Sequence, residues 1–249
     1  MSVENINLFT HFDNALKKVG EKPLLILDDG ITHNYKTLIN KSSQIASFFK
    51  SINILPGDRV SIQVDKSPES LFLYLACLQG GFTYHPLNPS YTANELDFFI
   101  GNAEPSIIIC DEKNLPIFEN LAKKNNIKYV FTLQSNGDGT LFDSLDASAC
   151  NFQTFDTPPS HTAALLYSSG TTGTPKGIML THENLISNTK TLVKTWKFTE
   201  QDILMHALPI FHVHGLFVAI GCALSTGASM YWLNKFDPIK VVQNINQCS

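Results

Sequence analysis

The residues best suited to chemistry lie in one short segment, in which hydroxyl side chains, glycines and a lysine follow an apolar run. Residues 167–177 read YSSGTTGTPKG, and the apolar residues 163–167 predict a short buried strand leading into them. Glycine allows positive φ angles and close approach of a ligand, and successive backbone N–H groups can then surround an anion. The hydroxyl groups add neutral donors and Lys176 adds a positive charge. The segment therefore predicts a binding site for a polyphosphate.

The spacing of this segment differs from that of the ordinary P-loop, which requires a glycine, four residues and then Gly-Lys-Ser or Gly-Lys-Thr. Here Lys176 is preceded by Pro175 and followed by Gly177. A plain turn between two strands is the alternative interpretation, since these residue types favour turns. Turns seldom need so many hydroxyl groups beside one lysine, so we favour the phosphate site.

Two histidines form a second group of candidate residues. His212 and His214 are two residues apart, so on an extended segment both side chains would face the same side. They could form a metal pair, line a substrate pocket or belong to the core. A metal site is disfavoured because no Cys, Asp or Glu lies near them in sequence to complete a ligand set. His85 is expected to be a core histidine with a hydrogen-bond partner.

Composition and charge exclude several classes of function. The 249 residues carry 18 basic and 22 acidic side chains without a long basic run, which disfavours nucleic acid and anionic membranes as partners. Residues 216–224 form the most apolar window, which is shorter than the roughly 20 residues of a membrane span, and residues 1–10 lack a secretory signal. The five separated cysteines indicate reduced, buried thiols in a cytoplasmic protein; they are Cys77, Cys110, Cys150, Cys222 and Cys248.

The elements that must position these residues alternate between short strands and helices, which predicts an α/β fold with parallel sheets flanked by helices. Ser67 and Pro68 predict the start of a helix that ends at residues 80–81. Thr92 and Glu95 predict a capping box at the start of another. Residues 134–160 are rich in turn residues and predict a linker. We therefore expect a first α/β subdomain at residues 1–156 and the start of a second, with the phosphate loop, at residues 161–249.

The segment YSSGTTGTPKG resembles the phosphate loop of the adenylate-forming, or AMP-binding, superfamily, which includes acyl-CoA synthetases, coumarate-CoA ligases, luciferases and the adenylation domains of peptide synthetases. Other stretches are most similar to malonyl-CoA synthetases. They cover essentially the whole chain and include residues 66–69 (KSPE), 74–78 (YLACL), 86–96 (PLNPSYTANEL), 103–105 (AEP) and 208–219 (LPIFHVHGLFVA).

The resemblance implies the fold, the reaction and the roles of individual residues. It implies ATP-dependent adenylation of a carboxylate, followed by thioester formation with CoA, so that ATP, CoA and a small carboxylate are the partners, with Mg²⁺ on the phosphates. His212 would lie beside the substrate carboxylate and His214 would line the acyl pocket. The residues that would hold the phosphates of ATP are Ser168, Ser169, Gly170, Thr171, Thr172, Gly173 and Lys176.

The resemblance stops soon after residues 234–238, and the family's adenine motif, ribose-binding aspartate, malonyl-binding arginine and C-terminal domain with the catalytic lysine are not found. We therefore expect an incomplete N-terminal domain of the adenylate-forming fold, with no catalytic residue assigned, that is inactive alone and self-associates through an exposed face. Two alternatives stay open. One is a non-catalytic remnant that binds a nucleotide or a partner, and the other is a coumarate-type or medium-chain acyl-CoA ligase.

Overall fold

The computed structural model describes residues 5–168 and 175–248, which form two β-sheets with helices on their faces. The strands are β1 (Pro23–Leu27), β2 (Thr32–Asn34), β3 (Arg59–Gln63), β4 (Thr83–Pro86), β5 (Ile107–Cys110), β6 (Tyr129–Thr132), β7 (Thr162–Ser168), β8 (Lys176–Thr181), β9 (Ile203–His206) and β10 (Ser229–Trp232). The α-helices are α1 (Leu8–Leu16), α2 (Tyr35–Ser51), α3 (Pro68–Gly80), α4 (Ala93–Ala103), α5 (Leu115–Lys124), α6 (Thr140–Asp143), α7 (His182–Trp196), α8 (Gly221–Thr226) and α9 (Pro238–Asn244). A π-helix (His214–Ile220) and two 3₁₀-helices (Glu112–Asn114 and Ile245–Cys248) are also formed.

The two sheets are mainly parallel. The larger sheet has the strand order β6-β5-β3-β4-β7-β8, in which β8 is antiparallel to β7 and the other neighbours are parallel. The smaller sheet has the order β2-β1-β10-β9, with β2 antiparallel at its edge. The predicted α/β fold with parallel sheets flanked by helices is therefore confirmed.

Both sheets contain strands from distant parts of the chain. In the smaller sheet Ile26 of β1 lies opposite Tyr231 of β10, and in the larger sheet Tyr84 of β4 lies opposite Ala164 of β7. The larger sheet thus combines strands from both sides of the predicted subdomain boundary at residues 156–161. The division into residues 1–156 and 161–249 stays a prediction.

Helix α3 is buried on all its faces. Of its 13 residues all but Glu69 are buried. Its amino end is capped by Ser67, whose Oγ accepts from the Ser70 N–H at 3.1 Å while Ser70 Oγ accepts from the Ser67 N–H at 2.9 Å. Gly81 ends the helix at a φ of 71°. Both ends are as predicted, and these caps satisfy backbone groups that water cannot reach.

The side chains of α3 contact elements of both sheets. The Tyr74 ring lies 5.2 Å from that of Tyr84 in β4, and 5.9 Å from that of Phe217 in the π-helix. On the side of the smaller sheet, the Phe72 ring lies 5.6 Å from that of His33 in β2. The hydrophobic core therefore continues from one sheet to the other through α3.

Three histidines are buried in or beside this core. His85 Nδ1 lies 2.7 Å from Ser61 Oγ, which confirms the predicted core histidine, although its Nε2 has no hydrogen-bond partner among the described residues. His182 Nδ1 accepts from the Leu8 N–H at 3.0 Å and so joins α7 to α1. Burial lowers the pKa of His85, His182 and His206 to about 3 in each case. All three are therefore neutral at pH 7.

The structure also bears on the predictions about a membrane span and about the burial of the cysteines. Across residues 5–168 and 175–248, no helix is both long enough and apolar enough to cross a membrane. Cys77, Cys110 and Cys222 are buried, as their apolar settings predicted, whereas Cys150 and Cys248 are half-buried.

The capping box at the start of α4 gives a first test of the fold. Thr92 Oγ1 accepts from the Glu95 N–H, and Glu95 Oε2 accepts from the Thr92 N–H at 2.8 Å, as predicted. Thr92→Ala removes one acceptor and should lower the free energy of unfolding by about 1 kcal/mol, measured by urea denaturation. Thr92→Ser is the control and should stay near the stability of the unchanged chain. Equal stability of the alanine and serine variants would contradict this assignment.

The buried histidines predict how stability changes with pH. In the unfolded chain a histidine takes up a proton near pH 6.5, whereas the folded pKa of His182 is about 3. Between these values the unfolded state binds more protons, so the free energy of unfolding should fall as the pH is lowered. At pH values well above about 6.5 the histidine is neutral in both the folded and the unfolded state, so it no longer makes the free energy of unfolding depend on pH.

His182→Leu tests this prediction by urea denaturation at several pH values. The variant should lose about 1–3 kcal/mol at pH 7, because the buried Leu8 N–H loses its acceptor. Its stability should also depend less steeply on pH between 6 and 4. The control is His214→Leu, at an exposed position, which should keep the stability of the unchanged chain at pH 7. An unchanged slope in His182→Leu would show that His182 is not a buried neutral group.

Candidate functional site

Strands β7 and β8 form a hairpin that brings Ser168 and Lys176 together. The two residues lie opposite each other across the strands, at the end where residues 169–175 connect them. Lys176 is exposed and Ser168 is half-buried. Directly opposite residues of an antiparallel pair lie on the same face, so the Ser168 and Lys176 side chains leave the same face of the hairpin next to the predicted phosphate loop. The other predicted phosphate-binding residues lie outside the described residues; they are Ser169, Gly170, Thr171, Thr172 and Gly173.

The larger sheet and α4 fix the position of this hairpin. Because β7 is parallel to β4, the carboxyl ends of both strands reach the same edge of the sheet. Tyr167 Oη donates to Asn102 Oδ1 at 2.6 Å, and the Tyr167 ring lies 4.9 Å from that of Phe99. Burial raises the pKa of Tyr167, so its hydroxyl remains a donor at neutral pH. The residue before Ser168 is therefore anchored to α4 by both packing and a hydrogen bond.

A cavity of about 350 Å³ opens beside the end of β7. Ser168 and His212 both line it, so the structure brings a predicted phosphate-binding residue and a predicted substrate-binding residue to one space. Its remaining walls are mainly apolar, and they include Leu87, Tyr91, Phe99, Ile178, Leu180 and Phe211. An apolar cavity with a few convergent polar groups is typical of a site for a small molecule.

His214 is not among the residues that line this cavity. It is exposed and is the first residue of the π-helix, and Val213 already has helical φ and ψ of -46° and -47°. His212 and His214 therefore do not lie on an extended segment, which was the condition under which both side chains would face the same side. π-Helices are rare, and the spacing of the two histidines could not reveal one. The role of His214 stays a prediction.

His206, the last residue of β9, joins the two ends of the segment between β9 and the π-helix. Its Nε2 lies 3.0 Å from the carbonyl oxygen of Gly215, so the neutral imidazole carries its proton on Nε2. A Cβ at Gly215 would lie 2.1 Å from the Pro209 carbonyl oxygen, so this closure requires glycine. The imidazole also stacks on the Trp232 indole, with ring centroids 5.1 Å apart. His212 is thus carried on a short segment that is fixed at both ends.

Lys66 is a buried residue of this region that sequence reasoning did not find. Its side chain is 7% exposed, and Nζ donates to the carbonyl oxygens of His206 at 2.7 Å and Leu233 at 2.6 Å. Burial lowers the pKa of Lys66 to about 6. In the sequence, its burial near the site could have been inferred only from its position between β3 and the Ser67 cap of α3, at the edge where parallel strands end. A lysine at such a place is usually expected in solvent.

A larger cavity, of about 690 Å³, lies where β1 and β10 end beside the amino end of α3. Its charged lining residues are Asp28, Asp29, Glu69, Lys235, Asp237 and Lys240. None of the predicted site residues that the structure describes lines it. In the described ranges, no group of three or more His, Cys, Asp and Glu is arranged to hold a metal ion. The cavity of about 350 Å³ that Ser168 and His212 line is therefore the candidate site.

Several known proteins are similar to this chain. An oxalate–CoA ligase of Arabidopsis thaliana is 29% identical over 222 residues, which cover 88% of this chain and 43% of the ligase. A 4-coumarate–CoA ligase of Petroselinum crispum is 27% identical over 250 residues, which cover 98% of this chain and 46% of the ligase. The crystal structure of ATP-bound MatB from Rhodopseudomonas palustris matches with a TM-score of 0.93 and 41% identity, over 98% of this chain and 48% of MatB. The chain therefore spans about half the length of these relatives.

These similarities agree with the architecture described above. The α/β arrangement matches the N-terminal half of the adenylate-forming fold of MatB. The model of the AMP-binding enzyme family matches residues 12–248. Because this match covers nearly the whole chain, the chain belongs to the family of AMP-binding enzymes.

Proposed function

We propose that the protein is a CoA ligase that activates a carboxylic acid with ATP and then transfers the acyl group to CoA. The observation that carries this proposal is the similarity of 98% of the chain to ATP-bound MatB, at 41% identity. In the first step a carboxylate oxygen bonds to the α-phosphorus of ATP and pyrophosphate leaves. In the second step the CoA thiol, losing its proton to water, attacks the acyl carbon and AMP leaves.

The phosphates of ATP are proposed to bind at the end of the β7–β8 hairpin. Ser168 and Lys176 face each other there, which supplies a neutral donor and a positive charge. Ser169, Gly170, Thr171, Thr172 and Gly173 are proposed to add backbone and side-chain donors. Such groups accelerate phosphoryl transfer mainly by positioning the phosphates and neutralising their charge.

Mg²⁺ is proposed to bind together with ATP and to neutralise charge on its phosphates. The described residues contain no cluster of three or more His, Cys, Asp and Glu placed for a metal ion. Phosphate oxygens and water would then supply most of its ligands, which is the usual way that proteins hold Mg²⁺ with a nucleotide.

The carboxylic acid is proposed to bind in the cavity of about 350 Å³ that Ser168 and His212 share. His212 would lie beside the carboxylate, at the point where it meets the phosphates of ATP. His214 is proposed to line the acyl pocket, although it lies outside the lining of this cavity. A polar imidazole suits a small acid with a second polar group better than an aliphatic side chain would.

We favour malonate as the acid, because MatB is a malonyl-CoA synthetase with about 40% identity to this chain. The second candidate function is a ligase for coumarate or a medium-chain acid. The observation that favours it is the 27% identity to a 4-coumarate–CoA ligase over 98% of the chain. The greater identity to MatB makes the malonate assignment the better supported.

Three finer features are also proposed. The cysteines are all free, which suits a reducing compartment, and we place the protein in the cytoplasm with an acyl-CoA product that enters fatty acid metabolism. Exposed apolar side chains near the end of the chain are consistent with self-association. These side chains are Phe236, Ile239 and Val242. A non-catalytic remnant that binds nucleotide remains the competing outcome.

Lys176→Ala tests the phosphate site. Loss of a charged donor to the phosphates should weaken ATP binding about 10- to 100-fold, measured by isothermal titration calorimetry. The control is Lys194→Ala, which removes an exposed lysine from α7 and should leave the affinity unchanged. Equal ATP affinity in both variants would remove Lys176 from the proposed site.

Exchange of labelled pyrophosphate into ATP tests the reaction itself in the complete natural protein. Malonate, acetate, a medium-chain fatty acid and coumarate are compared as the acid. We expect exchange with malonate to be fastest, because the chain is more similar to MatB than to coumarate ligases. Exchange with coumarate alone would reject malonate, and ATP binding without exchange with any acid would favour the remnant.

A further inference from the structure

Lys66 connects the two sheets at the edge where the candidate site lies. It follows β3 of the larger sheet, and its Nζ donates to the carbonyl oxygens of His206 and Leu233, at the ends of β9 and β10 in the smaller sheet. The His206 carbonyl oxygen also accepts from the Leu233 N–H at 3.2 Å. One side chain thus ties the end of one sheet to two strand ends of the other.

We propose that Lys66 is a positioning residue that holds residues 207–215, and with them His212, at the wall of the candidate site. The inference deepens the proposed function, and its link to the substrate carboxylate rests on that function. Lys66 itself does not line the cavity shared by Ser168 and His212. It acts through the segment that carries His212.

The surroundings of Lys66 are those of a structural tie and not of an ion pair. Nζ lies 4.2 Å from the centroid of the Trp232 ring, and no acidic side chain in the described ranges forms an ion pair with it. Burial lowers the pKa of Lys66 to about 6. The neutral amine still has two N–H groups, one for each carbonyl oxygen. The tie therefore persists whether or not the amine carries a charge.

The tie reaches the candidate site through His206. Lys66 fixes the backbone oxygen of His206, while the His206 imidazole fixes the Gly215 carbonyl oxygen at the other end of the segment. Between these ends, Phe211 lines the cavity of the candidate site. Phe211 also lines a third cavity, of about 220 Å³, and Lys66 lines that cavity too. A shift of residues 207–215 would move this shared wall and His212 together.

Hydrogen exchange of the unchanged protein and of Lys66→Met tests the proposal without requiring enzymatic activity. Methionine keeps the length of the apolar part of the lysine side chain but lacks the terminal nitrogen and its N–H donors. We expect the amides of Leu216 and Leu233, which donate to the carbonyl oxygens of His212 and His206, to exchange about tenfold faster or more, while those of α4 and β5 keep their rates. Lys66→Arg, which restores N–H donors, should return the Leu216 and Leu233 amides toward the original rate.

The control is Lys113→Met, at an exposed lysine beside Asp65 and Asp111, which should leave the exchange rates of the Leu216 and Leu233 amides unchanged. Unchanged exchange in Lys66→Met, or acceleration that is equal throughout the chain, would overturn the proposal. If Lys66→Met does not fold, Lys66→Gln replaces it, because its amide donors end one bond short of the lysine nitrogen. In that variant, exchange of the Leu216 and Leu233 amides at the original rate would overturn the proposal.

Activity gives a second, separate measurement in the complete natural ligase. Lys66→Met should raise the KM for the carboxylic acid about tenfold and leave the KM for ATP near its original value. Equal changes in both would indicate a general loss of stability and contradict a positioning role. If the proposed reaction is wrong, the unchanged protein will show no turnover. The hydrogen-exchange result for Lys66 does not depend on turnover and would still stand.

Discussion

Burial of α3 on every face is the constraint on which the rest of the structure depends. Each Leu or Phe that α3 buries contributes roughly 1.5–3 kcal/mol, but only if other elements cover it completely. The larger sheet covers one side through Tyr84, and the smaller sheet and the π-helix cover others through His33 and Phe217. Two sheets that share a core helix cannot move independently, so the relative position of their strand ends is fixed by packing.

The candidate site lies where these fixed strand ends meet. The ends of β4 and β7 bring Ser168 to the cavity, and the segment after β9 brings His212 to it from the other sheet. Polar backbone groups at such an edge need partners that water cannot supply. The capping box of Ser67 and the hydrogen bonds of Lys66 satisfy several of them, and all of these bonds involve residues 66–70. The packing of the shared core therefore determines where the site lies, and the hydrogen bonds at the strand ends hold its polar groups in place.

Local features of the fold and part of the site could be predicted from the sequence. The strands and the helix ends at Ser67 and Thr92 depend on neighbouring residues, so they can be predicted from local sequence patterns. Burial of Lys66 depends on carbonyl oxygens 140 and 167 residues away in the chain, which no local pattern encodes. The helical conformation at Val213 likewise depends on the π-helix that follows it, which the spacing of the two histidines could not reveal.

Native-state hydrogen exchange of α3 tests the shared core most directly. If α3 holds both sheets, the amides of Leu71, Tyr74 and Cys77 should exchange only through global unfolding. The amides of β4 and β10 should then show the same free energy of opening, because neither sheet can separate from α3 alone. Opening of β9 and β10 at a clearly lower free energy, with α3 and the larger sheet still protected, would contradict the claim that one core fixes both halves of the site.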